Sequence, residues 1–359
     1  MIPYGRQSID DDDIAAVVSV LKGDWLTQGP HVEEFERALA ERVGARHAVA
    51  FANGTAALHG AAAAAGLGPG DLVVTSPLSF VASANCARYV GATPGFVDID
   101  LSTLNLDPAA VPGEAAGLVA VHYAGLPVDL SSLSHRPRVV IEDAAHALGA
   151  MTPDGPVGSC ARSDMCTFSF HPVKAVTTAE GGAVTTNGDE LAGRLRTFRN
   201  HGIERTPAAG GWAYDVTAVG FNYRLTDIQA ALGSTQLTKL DRFLGRRTAL
   251  AERYRTLLAD TPAVLPPGPA TGVTHGWHIF PIRVGDRRRV YDALRADGVG
   301  VQVHYAAIHL LSAYTELGFR AGDFPAAETA SAELLSLPLF PDLSDAEQDV
   351  VVDAVLRAL

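Results

Sequence analysis

Apolar positions fall into two textures along the chain. Up to about residue 190, short apolar runs alternate with helical periodicities. His47–Phe51, Leu72–Thr75, Pro94–Val97, Leu118–Val121 and Val139–Ile141 have the length and branching of strands and are bounded by Gly, Pro and Asp turns. Helices fall between and before them. Asp10 to Asp13 load the start of the first, and Ile14, Val17, Val18 and Leu21 recur on one of its faces. A second ends near Val43, Asn53-Gly54-Thr55 opens an Ala-rich third, and Pro77 and Ser79 precede a fourth. Strands alternating with helices require crossover connections. The predicted class is therefore α/β, with a mostly parallel sheet covered on both faces.

The texture changes after Gly233. One long helix is predicted from about Thr226 to Leu258, broken near Gly245, and Pro262 to Pro269 ends it. The tail then reads as strand His278–Val284, helix Arg287–Asp297, strand Gly300–His304 and further helices, a smaller α+β unit. The expected division is a large domain over 1–240 and a small one over 241–359, with the N-terminal segment packing against the small domain. At 359 residues, 47% hydrophobic and 19% charged, the chain has the composition of a globular protein. A net charge of −12 argues against a nucleic-acid or anionic-membrane surface. Three cysteines without metal-ligand spacing, no signal-peptide pattern and no spanning apolar run point to the cytoplasm, and no metal is expected.

Among the 28 lysines and arginines only three are lysines, Lys22, Lys174 and Lys239. An amine can deprotonate and condense with a carbonyl, whereas a guanidinium stays charged. Lys22 closes the first helix before Gly23, where a cation suits the helix dipole. Lys239 lies among polar residues and is expected to point to solvent. Lys174 stands in Thr167-Phe-Ser-Phe-His-Pro-Val-Lys174, shortly before Glu180-Gly-Gly182, and is the candidate for chemistry.

Ligands of such sheets lie beyond the carboxyl ends of the strands. Four segments meet there: Asn53-Gly54-Thr55, Ser79-Phe80, Glu142-Asp143 with His146, and Ser169 to Lys174. Backbone amides of Gly54 and Thr55 at a helix start, with Ser169, suit a phosphate. Asp143 suits a protonated ring nitrogen, Phe80 a flat ring, and Lys174 an aldehyde. Together these describe pyridoxal 5′-phosphate (PLP). A nicotinamide site would need a Gly-x-Gly-x-x-Gly turn that Ala52-Asn-Gly-Thr-Ala-Ala57 does not supply. A non-catalytic PLP-binding sensor stays open at this point.

The chain resembles the DegT/DnrJ/EryC1/StrS sugar-nucleotide aminotransferases of the aspartate-aminotransferase-like (type I) PLP fold. The resemblance rests on Leu26-Thr-Gln-Gly-Pro30, Asn53-Gly-Thr-Ala-Ala-Leu58, Glu142-Asp-Ala-Ala-His-Ala-Leu-Gly149, Ser169-Phe-His-Pro-Val-Lys174, Glu180-Gly-Gly182 and Gly220-Phe-Asn-Tyr-Arg-Leu-Thr-Asp227. It implies that Lys174 carries the cofactor, Asp143 faces its ring nitrogen, His146 lies near its ring hydroxyl and Phe80 covers its face. Gly54, Thr55 and Ser169 would hold its phosphate. Asn222 and Arg224 would reach into a second subunit's site, making a homodimer with shared sites. Asn53 departs from the Ser that similar sequences often carry there. Implied substrates are L-glutamate and a nucleotide-linked keto sugar, with Tyr4, Arg6, His201, His304, Tyr305 and His309 as candidate contacts. Thr177-Thr-Ala-Glu-Gly-Gly182, Gly300-Val-Gln-Val-His-Tyr305 and the spacing to His309 resemble the pseudaminic-acid branch. Relatives acting on other keto sugars share the catalytic set, and that alternative stays open.

Overall fold

The computed structural model describes all of the chain except residues 207 and 209. Its centre is a seven-stranded sheet of β1 (His47–Phe51), β2 (Leu72–Thr75), β3 (Thr93–Phe96), β4 (Gly117–Val121), β5 (Val139–Asp143), β8 (Met165–Ser169) and β9 (Gly182–Thr186). The short strands β6 (Met151–Thr152) and β7 (Gly155–Pro156) form a separate hairpin. Strand order is β1-β9-β8-β5-β4-β2-β3, parallel throughout except that β9 runs against both β1 and β8. The expected mostly parallel sheet is present, and the one reversed strand brings Glu180-Gly-Gly182 back to the edge where β8 ends.

Strand alternation places successive side chains on opposite faces. Ala48 and Ala50 of β1 join a core with α2 (Pro30–Val43), while Val49 and Phe51 join a core with α3 (Gly54–Ala64), α4 (Ala82–Tyr89) and α5 (Asp189–Arg199). A third core gathers Leu250 to Ala358, with Ile2 packed against it. It is built from α7 (Leu240–Leu257), strand β12 (Phe280–Arg283), α8 (Arg287–Ala296), strand β13 (Leu334–Leu337) and α11 (Asp345–Ala358). The hairpin strands β10 (Ile203–Arg205) and β11 (Tyr214–Val216) stand apart, and α9 (Ser312–Thr315) and α10 (Pro325–Glu333) connect the last elements. We propose the boundary between large and small domains near residue 240, at the start of α7, whose first residues still pack in the first core while Leu250 opens the third.

Four sequence expectations change. The long helix breaks at Lys239, between α6 (Asp227–Thr238) and α7, rather than at Gly245, which lies inside α7 with open space around it. Lys239 does not point to solvent. Its ammonium bonds Asp10 and lies 2.9 Å from Asp13, whose side chain is fully buried, so the break and the start of α1 (Asp11–Lys22) are tied together. Residues 300–304 form no strand: Ile2 takes the backbone of Val299 and Gly300, leaving one bridge from Gln302 to Ser336. Strand β13, in the predicted helical tail, supplies the antiparallel partner of β12 instead. The apolar face of α1 is open, with Ile14 and Leu21 more than half exposed beside Trp25 and Leu26.

Arg247 joins the cores. Its guanidinium is buried without a carboxylate, and Nη1 donates to the carbonyls of Trp277 (3.3 Å), His278 (3.1 Å) and Leu339 (2.9 Å). Burial pulls its pKa down to about 10. Arg247→Met would leave these carbonyls without that donor, and we expect a loss of roughly 3 kcal/mol. Urea unfolding at constant m-value measures it; an unchanged midpoint would show that the carbonyls find other donors.

Candidate active site

The carboxyl ends of β1, β2, β5 and β8 surround a cavity of about 600 Å³. Asp143 is the last residue of β5, and its carboxylate accepts from Ser83 Oγ (2.6 Å) and from the Ala145 N–H (3.1 Å). Ser83 comes from α4 and is itself 2.8 Å from Ser79 Oγ, so two hydroxyls in series support the carboxylate. Glu142, one residue earlier, points to the other face and bonds His122 (2.8 Å) and Ser163. Burial would raise its pKa, but the bonds from His122 and Ser163 outweigh it and hold the group below the ordinary carboxylate value. Alternation thus separates two adjacent carboxylates into a site group and a structural one.

Lys174 follows the turn after β8 and lines the cavity. Removal of water from around its ammonium pulls the pKa down to about 8, against the opposing pull of Asp143. Its Nζ lies 3.4 Å from His278 Nε2. The rings of His278 and His146 are 4.2 Å apart, and His146 Nε2 is 3.0 Å from the Tyr305 hydroxyl. Burial, reinforced by Lys174, holds both imidazoles well below their usual pKa. His304 is held down to about 4 by the same two effects, its Nδ1 meeting Ser336 Oγ at 2.9 Å. The result is one amine and one buried carboxylate among neutral imidazoles, with Glu180 exposed at the same cavity.

The residues present fit the cofactor that the sequence implies. Asn53 caps α3 by accepting the Ala56 N–H at 2.8 Å, leaving the amides of Gly54 and Thr55 at a helix start that lines the cavity. A Cβ at Gly54 would lie 2.9 Å from that of Ser169, and one at Gly182 would lie 2.4 Å from the Asn53 carbonyl. Only glycines allow hydroxyl, helix start and returning strand β9 to meet this closely. The Nδ1 atoms of His146 and His278 are buried without partners, as expected where a polar ligand belongs. Phe80, about half exposed, lies at the cavity 6.1 Å from the Tyr305 ring.

Ten of the expected residues therefore come together: Lys174, Asp143, His146, Gly54, Thr55, Ser169, Phe80, Tyr4, His304 and Tyr305. Five do not line the cavity. Arg6 is exposed and stacks over Phe340. His201 and Asn222 are exposed beside the β10–β11 hairpin, and Arg224 Nη1 donates to Asn200 (2.7 Å) while its buried Nε has no partner. His309 is a correction: it is fully buried, 3.0 Å from Glu328 and against Phe324, and cannot meet substrate directly. Sequence reasoning missed His278 and Ser83. Neither had a local signal, since His278 sits in an apolar stretch and Ser83 in a helix. A larger hollow of about 740 Å³ lies elsewhere, beside Leu126–Ser132 and residues 267–273; its one arginine, Arg162, is paired with Asp154.

Comparison with known proteins agrees with this geometry. Residues 7–356 match the DegT/DnrJ/EryC1/StrS aminotransferase family. The spore coat polysaccharide biosynthesis protein SpsC of Bacillus subtilis (strain 168) is 37% identical over 375 residues, covering 99% of this chain and 96% of that protein. A putative sugar aminotransferase, Spr1654 of Streptococcus pneumoniae in its PMP form, superposes with a TM-score of 0.94 at 29% identity over 100% of this chain and 99% of the other. Helicobacter pylori PseC, an aminotransferase of pseudaminic acid biosynthesis, superposes at 0.92 with 31% identity over 99% and 98%.

Proposed function

The chain belongs to the DegT/DnrJ/EryC1/StrS aminotransferase family and is a PLP-dependent aminotransferase, and on that premise we propose that it carries an amino group from L-glutamate to a nucleotide-linked 4-keto-6-deoxy sugar. The observation that supports this most is the meeting of Lys174 and Asp143 in one cavity with the amide-bearing start of α3. When bound, PLP supplies an aldehyde for amines and a ring that draws in the electron pair released from a broken C–H bond. Gly54, Thr55 and Ser169 would hold its phosphate, and Phe80 would offer a flat ring to it. His146 would lie near its ring hydroxyl.

Asp143 keeps a negative charge toward the ring nitrogen, with Ser83 and Ala145 fixing its orientation. Lys174 Nζ takes the proton from the donor's α-carbon and returns a proton during transfer to the sugar. A pKa near 8 suits both tasks close to neutral pH. Donor and acceptor use the cavity in turn, so the kinetics are ping-pong. Tyr4, His304 and Tyr305 line the same cavity and are the candidate sugar contacts within this subunit.

We propose a homodimer in which Asn222, Arg224 and His201 serve the neighbouring site. Trp212, Tyr214, Val216 and Val219 expose an apolar hairpin beside them, and Ile14, Leu21 and Trp25 expose another face. Within one subunit the cavity lining contains no arginine. A diphosphate therefore needs donors from elsewhere. No described helix is long and apolar enough to cross a membrane, compatible with the cytoplasmic location we propose.

For the sugar we propose UDP-2-acetamido-2,6-dideoxy-β-L-arabino-hexos-4-ulose, giving UDP-4-amino-4,6-dideoxy-N-acetyl-β-L-altrosamine; the motifs around Thr177 and His304 and the PseC likeness support it. The higher identity to SpsC favours a second reading, another UDP- or dTDP-keto sugar aminated at C3 or C4. A panel of such sugars with L-glutamate, products read by NMR, separates the two. Turnover of the UDP-4-keto sugar is expected; turnover of dTDP-3-keto sugars alone would overturn it.

A further inference from the structure

A lysine that carries protons must have its amine free for part of each cycle, and the fold offers that amine one hydrogen-bond partner. Nζ of Lys174 lies 3.4 Å from His278 Nε2, with no other side-chain partner among the described residues. We propose that His278 is a positioning residue, its Nε2 accepting a hydrogen bond from Lys174 Nζ and holding the free amine in the direction from which it takes and returns the proton. This rests on the reading of Lys174 as the proton carrier.

The imidazole is placed by both halves of the molecule. From the large sheet's side, Ala124 O accepts the His278 N–H at 2.9 Å and Gly125 O accepts the Gly276 N–H at 2.8 Å. From α7, Arg247 donates to the His278 carbonyl. The ring then lies against that of His146, at 42° between planes, and is 4% exposed. Neither end of the segment can shift without breaking bonds to an element of a different core.

The choice of an imidazole also has a physical reason. The titratable groups that line the cavity with Lys174 are Asp143, Glu180, His146, His171, His278, His304, Tyr4, Tyr223 and Tyr305. Burial holds the imidazoles of His146, His278 and His304 neutral and raises Tyr4, Tyr223 and Tyr305, so these phenols stay protonated. Asp143 is the one buried carboxylate among them, and Glu180 is exposed. A second carboxylate at position 278 would lock Lys174 as an ammonium; a neutral acceptor orients the amine and still lets it lose its proton. With Nε2 accepting, the ring proton resides on Nδ1, the buried atom that has no protein partner.

The test uses the scarcity of lysines. Cofactor-free protein is labelled with trace acetic anhydride across pH, and Lys174 acetylation is read by mass spectrometry against exposed Lys22. The wild-type midpoint is expected at about 8. His278→Phe removes the acceptor that favours the ammonium, so the midpoint falls by roughly half a unit or more. In the cofactor-loaded enzyme the glutamate half-reaction slows about tenfold while KM for glutamate stays within about twofold. His278→Gln, whose amide oxygen reaches the place of Nε2, restores both. Should His278→Phe fail to fold, His278→Asn keeps polarity but falls short of Nζ and is expected to behave alike. An unmoved midpoint in a folded Phe or Asn variant overturns the proposal, whatever the rate does. Failure of the reading of Lys174 itself would appear separately, as the lysine-bound cofactor's visible absorbance and wild-type turnover persisting in Lys174→Ala.

Discussion

Lys174→Ala is expected to yield a folded protein that lacks the visible absorbance of a lysine-bound cofactor and turns over at least about 10³-fold more slowly, within the range that one proton-transferring group contributes. Lys174 is the one amine lining the cavity, and Lys22 and Lys239 are committed elsewhere. Lys174→Arg sharpens the expectation. It keeps the positive charge toward Asp143 but presents a group that neither condenses nor deprotonates near neutral pH. If the contribution were electrostatic alone, Arg would restore activity; we expect it to be as inactive as Ala. Absorbance of the purified variants and steady-state assays decide this, and an Arg variant at wild-type rate would remove Lys174 from the chemistry.

Asp143→Asn is expected to lower kcat by on the order of 10²–10³, as for the loss of one preorganised charge in a site sheltered from water. The substitution keeps the shape and an acceptor for the Ala145 N–H. It removes the charge that faces the ring nitrogen and against which Ser83 is aligned at 2.6 Å. Cofactor binding should survive, because Gly54, Thr55 and Ser169 are untouched. Asp143→Ala is a poorer probe, since it leaves the Ala145 N–H without its acceptor at about 1–3 kcal/mol and frees Ser83 to turn to Ser79 or the Phe80 carbonyl. Wild-type kcat in the Asn variant, with cofactor bound, would contradict the role assigned to the carboxylate.

The residues of this site differ in how far local pattern reveals them. Strands β1, β2, β4 and β5 are apolar runs long enough to read directly, and Asp143 follows from its place at the end of one. Strands β8 and β9, Met-Cys-Thr-Phe-Ser and Gly-Ala-Val-Thr-Thr, have weaker hydrophobic signals, and only the motifs around them marked the edge they share. Helix α7 runs through Gly245, since one interior Gly costs a helix only about 1 kcal/mol, so composition misplaced the boundary.

Long-range contacts were the least legible. Lys239 looks polar and exposed to a local reading, yet its partner Asp10 lies 229 positions away in the chain. His278 is 104 positions from Lys174 and reads as an ordinary core histidine. His309 erred in the other direction, because a motif-like spacing concealed its pairing with Glu328. Spacing reports what one element can present; it does not report which distant element packs against it.

The central claim is that Lys174, Asp143 and the bound cofactor form one amino-transferring unit. Mixing the cofactor-loaded protein with L-glutamate in a single turnover, without sugar, tests it most directly. Loss of the lysine-bound cofactor's visible absorbance is expected, with one 2-oxoglutarate released per site and the cofactor recovered in its aminated form. Retention of that absorbance with no 2-oxoglutarate, in protein shown to be folded and fully loaded, would contradict it.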